Sequence, residues 1–353
     1  MENTASAILR PLRLGELLDR AIRLYRANFL TYIGIIAVVY VPLMILQTAA
    51  SALLSSSMFG GFRTPDELFT NTAYWAGMGS TVILAFLQFI LVQGFATGAL
   101  TRSVADNYLG RKTGIVDAYR GIGGSWVSLL GALLLLGLFI IVSLIWWLVP
   151  CIGWVTGIGI MFFLVAVVNP LIPPVVVLEK QSAVDSVGRA WNLSRRRFWP
   201  VLGTVLVLSL FSLIVVNGPA AIANIILAQV FQSFGDSATQ LILTSIIQGL
   251  VSIVFVLLYY PLQMTAFTLI YFDLRVRTEG FDLALLTREA TNETGESDLT
   301  DVASIPAPPT SEKFITGPDL GNFAILTIAG FALYIFFVSF LMGGIYFLSS
   351  LFR

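Results

Sequence analysis

GIGGSWVSLLGALLLLGLFIIVSLIWWLVPCIGWVTGIGIMFFLVAVVNPLIPPVVVL, residues 121 to 178, is a run of 58 residues without one charged side chain. A bilayer's hydrocarbon core is about 30 Å thick and takes roughly 20 residues of helix, so the run is too long for one crossing and long enough for two. In its middle, Trp146-Trp147-Leu148-Val149-Pro150-Cys151-Ile152-Gly153-Trp154 supplies a proline and a glycine where the chain must turn. Three tryptophans mark the headgroup level there. The stretch reads as a tight helical hairpin built to sit in lipid.

The same segregation of charge extends outward, with further uncharged runs at 27–62, 68–101, 198–235, 237–272 and 320–352. The 353 residues are 57% hydrophobic and 11% charged, against about 45–50% apolar and about 25% charged in soluble domains. This excludes an ordinary soluble globular protein and predicts an all-α, polytopic transmembrane helical bundle. Seven spans are expected, near 29–53, 79–103, 126–149, 153–177, 199–217, 240–270 and 322–349. Asn217-Gly218-Pro219 ends the fifth span or kinks it, which leaves 219–234 open between a second half-helix and an interfacial segment. Twenty basic residues balance twenty acidic ones, so no net field recruits nucleic acid. There is no histidine and one cysteine, Cys151, which removes His-based acid–base chemistry, His/Cys metal sites and an intramolecular disulfide. No P-loop, GxSxG elbow, HExxH or dinucleotide fingerprint occurs either, so no catalytic, metal or cofactor site is expected.

Basic residues near span ends stay in the cytoplasm. Eighteen of the twenty lie in the N-terminal tail and in the second-to-third, fourth-to-fifth and sixth-to-seventh connections, leaving Arg63 and Arg353 on the other side. The expectation is a multi-pass protein of the cell (inner) membrane with its N-terminus cytoplasmic and its C-terminus outside. Four regions follow: a cytoplasmic segment with an amphipathic interfacial helix at 1–28, a six-span membrane domain at 29–285, a flexible acidic cytoplasmic linker at 286–320, and a peripheral seventh helix at 321–353. The first 28 residues do not read as a cleavable signal, because five arginines interrupt them.

RAIRLYRANFLTYIG (20–34) and RAWNLSRRRFWPVLG (189–203) register without a gap ahead of the first and fifth spans. A degraded copy, DAYRGIGGSWVSLLG (117–131), precedes the third. The pattern predicts three repeated units, each an amphipathic segment followed by a two-helix hairpin. In the first copy Leu14, Leu17, Leu18, Ala21, Ile22 and Tyr25 form an apolar stripe, with Glu16/Arg20 and Asp19/Arg23 at i,i+4 on the other face. Ser182 and Asp185 form a helix start of capping-box type in the third unit. The cytoplasmic interfacial residues are Arg20, Arg23, Arg26, Arg195, Arg196 and Arg197, and the partners they imply are anionic headgroups of membrane lipids.

Proline breaks at Pro42, Pro170 and Pro261 free carbonyls that lipid cannot satisfy, so those turns are expected to face protein or water. Gln93, Asn169 and Gln263 are the candidates for a polar cavity, because the last two flank proline breaks; interhelical hydrogen bonding is the plainer role for such amides. Asp106, Glu179 and Asp273 end the second, fourth and sixth spans beside basic residues, a pattern that reads as interfacial ion pairing.

RAIRLYRANFLTYIG (20–34), PPVVVLEKQSAVDSVGRAWNLSRRRFWPVLG (173–203) and YFDLRVRTEGFDL (271–283), in that order and spacing, resemble the glycerophosphodiester phosphodiesterase membrane domain. The resemblance covers about residues 10 to 285 and implies a six-span bacterial module that is either fused to that enzyme or free-standing. In fused members the hydrolytic work belongs to a separate soluble barrel with histidines and a divalent metal. This chain has neither barrel nor histidine, so the resemblance carries no catalytic residue over. The acidic linker and seventh span depart from the six-span pattern. The function expected is a non-enzymatic membrane module that scaffolds, anchors or regulates a protein partner in a lipid- or envelope-related process; the alternative is a transporter or lipid-moving protein with a polar site near the proline breaks.

Overall fold

The computed structural model describes residues 10–59, 71–150, 152–231, 237–284 and 317–351, so Arg63, Cys151, Arg353 and the expected linker up to 316 lie outside the described residues. The fold is all-α, with no strand among the described residues. In chain order the helices are α1 (Leu14–Ala27), α2 (Phe29–Phe59), α3 (Thr72–Tyr108), α4 (Ile115–Gly121), α5 (Ser125–Trp146), α6 (Ile152–Glu179), α7 (Ala183–Arg196), α8 (Phe198–Leu227), α9 (Ser237–Glu279) and α10 (Gly317–Leu351). Six of them, α2, α3, α5, α6, α8 and α9, are long and apolar enough to cross a membrane. The chain is a membrane protein. α10 is a 35-residue helix whose stretch Gly317–Leu333 is apolar, so among the described residues six helices of the seven expected have the length and composition of a span.

The first and third repeats coincide in structure as in sequence. α1 and α7 are both 14 residues long, and each gives way after one residue to a long apolar helix that begins at Phe29 or Phe198. Ser182 caps α7 through its hydroxyl, which accepts from the Asp185 amide at 3.3 Å and donates to the Asp185 carboxylate at 2.6 Å. The chain reaches that cap through Lys180, whose left-handed φ of 52° is the one positive value on a non-glycine among the described residues. The middle copy is shorter, reduced to the seven residues of α4.

The three units close into a ring. α3, α6 and α9 pack against one another in the centre, and each outer span also packs on the central helix of the preceding unit: α5 on α3, α8 on α6, and α2 on α9. The amphipathic segments follow the same rule, with α4 on α2 and α3, α7 on α5 and α6, and α1 on α8 and α9. Small side chains permit the central approach. Gly98, Ala99, Ser103 and Ala105 lie in a stretch of α3 that is buried almost throughout, and close contact of this kind drives helix association where lipid removes the hydrophobic gain.

Packing is concentrated at one end of the bundle. Ile172–Leu178 of α6 and Ala266, Phe267, Leu269, Ile270, Tyr271 and Phe272 of α9 are buried at the level of Thr97–Tyr108. Toward the other end Leu138, Ile141 and Ile145 of α5, and Leu210, Ile214 and Ile225 of α8, are exposed. That surface suits acyl chains.

Three crossings contain π-helical segments, Phe89–Ala96, Phe163–Val168 and Leu213–Asn217. The last runs directly into helix Gly218–Phe231, so the segment after Pro219 continues the fifth crossing past a local rewinding. Pro170 and Pro261 are buried, whereas Pro42 is on the exposed side of its helix; neither Pro42 nor Pro261 breaks the chain, the two lying inside continuous helices of 31 and 43 residues. α2 continues because its neighbouring turns hold the helix through one missing bond, and the proline ring faces outward with Val38.

Gly94 and Gly153 mark close approaches. A Cβ on Gly94 would lie 2.9 Å from Leu130 of α5, and one on Gly153 would strike the Trp146 carbonyl in the hairpin turn. Gly94→Val is expected to destabilise the detergent-solubilised protein by about 1–3 kcal/mol through overpacking. Thermal unfolding checks this, with Leu130→Ala added to G94V expected to recover part of the loss; an unchanged Tm in G94V refutes the close packing of α3 on α5.

Candidate functional site

The charged end of the bundle holds three carboxylates in the last turns of the central helices, Asp106, Glu179 and Asp273. Each finds its cation differently. Asp106 on α3 accepts from Arg102 Nε at 3.3 Å one turn earlier. Asp273 on α9 is clamped by Arg277, whose Nε lies 2.9 and 3.0 Å from its two oxygens. Asp273 also accepts from the Leu12 amide at 2.7 Å, while Arg277 Nη2 donates to the Leu12 carbonyl at 2.7 Å. Residues 261 and 265 positions apart are thereby tied, and the chain entering α1 is fixed to the end of α9.

Glu179 on α6 belongs to a larger network. Arg189 of α7 reaches it with Nε at 3.0 Å and contacts Glu279 of α9 with Nη1 at 2.6 Å. Tyr271 donates its hydroxyl to Glu179 at 2.9 Å, and Arg275 binds Glu279 at 2.9 Å while its guanidinium lies 4.5 Å from the centre of the Phe281 ring. Arg275 is only 1% exposed, so this is a buried ionic cluster rather than the interfacial pairing the sequence suggests. Burial opposes the charge on Arg189, but Glu279 and Glu179 outweigh it and raise its pKa above the ordinary arginine value. Asp185 stands four residues before Arg189 on α7, but the arginine turns inward, where two carboxylates are withheld from water.

The six interfacial arginines divide. Arg195 is buried and meets Asp319, in the first turn of α10, at 3.3 Å, so it does not reach a headgroup. That contact, together with the close passage of α10 beside Gly159 of α6, docks the expected peripheral helix against the bundle. Arg23, Arg26, Arg196 and Arg197 are exposed. Arg20 lies over the Tyr108 ring, 5.1 Å from its centre. Glu16, four residues before it, pairs with Arg10 at 3.7 Å instead.

Of the three candidates for a polar cavity, Gln93 takes part in a bond between helices. Gln93 accepts from the Tyr260 hydroxyl at 3.4 Å, and that hydroxyl is 2.6 Å from Thr97 Oγ1, which donates to the Val92 carbonyl in the π segment. Asn169, at the start of a 3-10 turn, and Gln263, two residues past Pro261, are half-buried and outside that cluster of bonds. Thr97 and Tyr260 carried no motif by which sequence reading could single them out; they join α3 to α9 beside the π segment, where the backbone N–H and the hydroxyl of Thr97 both donate to the Val92 carbonyl.

No known protein family, curated protein or solved structure matches the chain.

Arg275→Met leaves Glu279 with only Arg189 in a buried setting, and a loss of about 3–5 kcal/mol is expected. Replacing Arg275 and Glu279 together by apolar residues is expected to cost less than R275M alone. Denaturant titration in mild detergent checks the order; equal losses for the single and double variants contradict a closed network.

Proposed function

We propose that the protein is a non-enzymatic module of the cell (inner) membrane, with a cytoplasmic N-terminus and an outer C-terminus. Its charged end serves as a fixed platform that scaffolds, anchors or regulates a partner acting on lipids or at the envelope. The observation that carries this reading is the clamping of both long amphipathic helices: α1 through the Asp273–Arg277 grip on Leu12, and α7 through Arg189. Amphipathic helices that only needed to touch lipid could float on the surface; here buried ion pairs hold them in one arrangement. Arg196 and Arg197 project from that platform, where they would meet anionic headgroups or an acidic partner. The motif resemblance over residues 10 to 285 supports the same reading, because it points to a membrane module separate from any catalytic barrel.

A second reading, a transporter or lipid-moving protein, is favoured by one observation. Three crossings are rewound into π segments at mid-helix, and one of these, with Gln93, lies against Tyr260 beside Pro261. Rewound segments offer places for a helix to bend or a ligand to bind.

Native mass spectrometry of protein released gently from its own membrane is expected to show a stoichiometric polypeptide that is lost when Arg196 and Arg197 are both changed to Gln. Release of the protein alone, combined with lipid scrambling in proteoliposomes, would transfer the assignment to the second reading. Orientation has its own check, since the single Cys151 lies in the α5–α6 hairpin. A membrane-impermeant maleimide is expected to label intact cells or spheroplasts at Cys151 and to fail with C151S; labelling only of inverted vesicles reverses the topology.

A further inference from the structure

The repeats allow one position to be compared in two settings. Arg20 in α1 and Arg189 in α7 stand at the same place in two helices of equal length. Arg189 is filled on the inside by carboxylate oxygens of Glu179 and Glu279. The equivalent space beside Arg20 is an open cleft of about 740 Å³. Arg10, Arg20, Arg23, Asn107 and Tyr108 line it.

Arg20 enters that cleft in a prepared state. Its guanidinium rests on the Tyr108 ring, and among the described residues it forms no hydrogen bond or ion pair. A ring face fixes the plane of a guanidinium while leaving its N–H edges available, the geometry with which arginine takes two oxygens of one anion. The carboxylate best spaced to occupy it, Glu16, is held elsewhere by Arg10 and by the Arg13 amide, which donates to it at 3.3 Å. Asp19 is also in the lining, but it is exposed. With three arginines against two carboxylates, the lining carries a net charge of +1, which matches a singly charged phosphoryl group better than a polyphosphate.

We propose that this cleft is a phosphoryl-binding site in which an external oxyanion stands where the third repeat uses its own carboxylates. Arg20 is the principal ligand, Tyr108 its platform, and Arg23 and Arg10 the flanking cations. The phosphate of a phospholipid headgroup and free inorganic phosphate share this chemistry. The lipid source rests on the placement of α1 at the inner leaflet under the proposed function; binding of inorganic phosphate does not.

The test uses the full-length protein in mild detergent, stripped of lipid and titrated in parallel with phosphatidylglycerol, with diacylglycerol of the same chains, and with inorganic phosphate. Native mass spectrometry reads the lipids and calorimetry reads phosphate. Wild type is expected to retain phosphatidylglycerol over diacylglycerol, with R20Q losing about tenfold in affinity as the charge-assisted bonds disappear and R120Q, a change at an exposed cation of α4 outside the cleft, unchanged. R20K, which keeps the charge without the planar edge, is expected to fall between them. Y108L should weaken binding in the same direction and serves as the second variant if R20Q unfolds, Tm being followed throughout. Phosphate binding that depends on Arg20 without a preference for phosphatidylglycerol keeps the site and assigns it to the soluble anion, leaving the membrane reading untouched. Equal behaviour of R20Q and R120Q in both arms overturns the proposal.

Discussion

Three helices that carry carboxylates in their last turns, packed together at the charged end of the bundle, create an electrostatic demand that organises the rest of this molecule. A carboxylate withdrawn from water without a partner costs several kcal/mol. Asp106 is answered within its own helix, Asp273 by Arg277 and the Leu12 amide, and Glu179 by an arginine delivered from α7. The last two solutions reach beyond the helix concerned. They explain why the amphipathic segments are docked parts of the bundle and why the charged end is its best-packed region.

That constraint also accounts for the asymmetry along the bundle axis. Among apolar side chains in lipid, burial brings little net gain, so nothing compels the far halves of α5 and α8 to close on each other. At the charged end, bonds between unlike charges and close contact through Gly98, Ala99 and Ala105 do compel it. The π segments fall between these regimes, and in the first of them the Val92 carbonyl accepts from both the backbone N–H and the hydroxyl of Thr97, five residues on. Tyrosines do the same work between helices: Tyr25 donates to the Leu258 carbonyl of α9, and Tyr119 to the Ile35 carbonyl of α2.

The repeat gives the molecule an internal control. Where Arg189 and Arg195 of the third unit are captured by Glu179, Glu279 and Asp319, Arg20 and Arg26 of the first unit meet no protein carboxylate among the described residues. The same scaffold has thus been completed internally in one unit and left open in another. An open copy beside a closed one is the arrangement in which a ligand-binding position is easiest to recognise.

Residues 121–178 and their counterparts determined the helical membrane fold without assistance, because uncharged length and a Pro/Gly turn leave a bilayer segment no alternative to helix. The equal helices α1 and α7 were legible as well, from a register of residues that needed no third dimension. The pairing of charges was not. Asp185 and Glu16 sit at helical spacing from Arg189 and Arg20, yet the first arginine bonds to Glu179 and Glu279 and the second stacks on Tyr108. Local spacing is worth only a few tenths of a kcal/mol in water, whereas unpaired burial is worth far more, and which groups become buried is decided by how the three units close. For the same reason only the tertiary structure could place Arg195 inside against Asp319, turn Pro42 outward, and bring Gln93 of α3 to Tyr260 of α9.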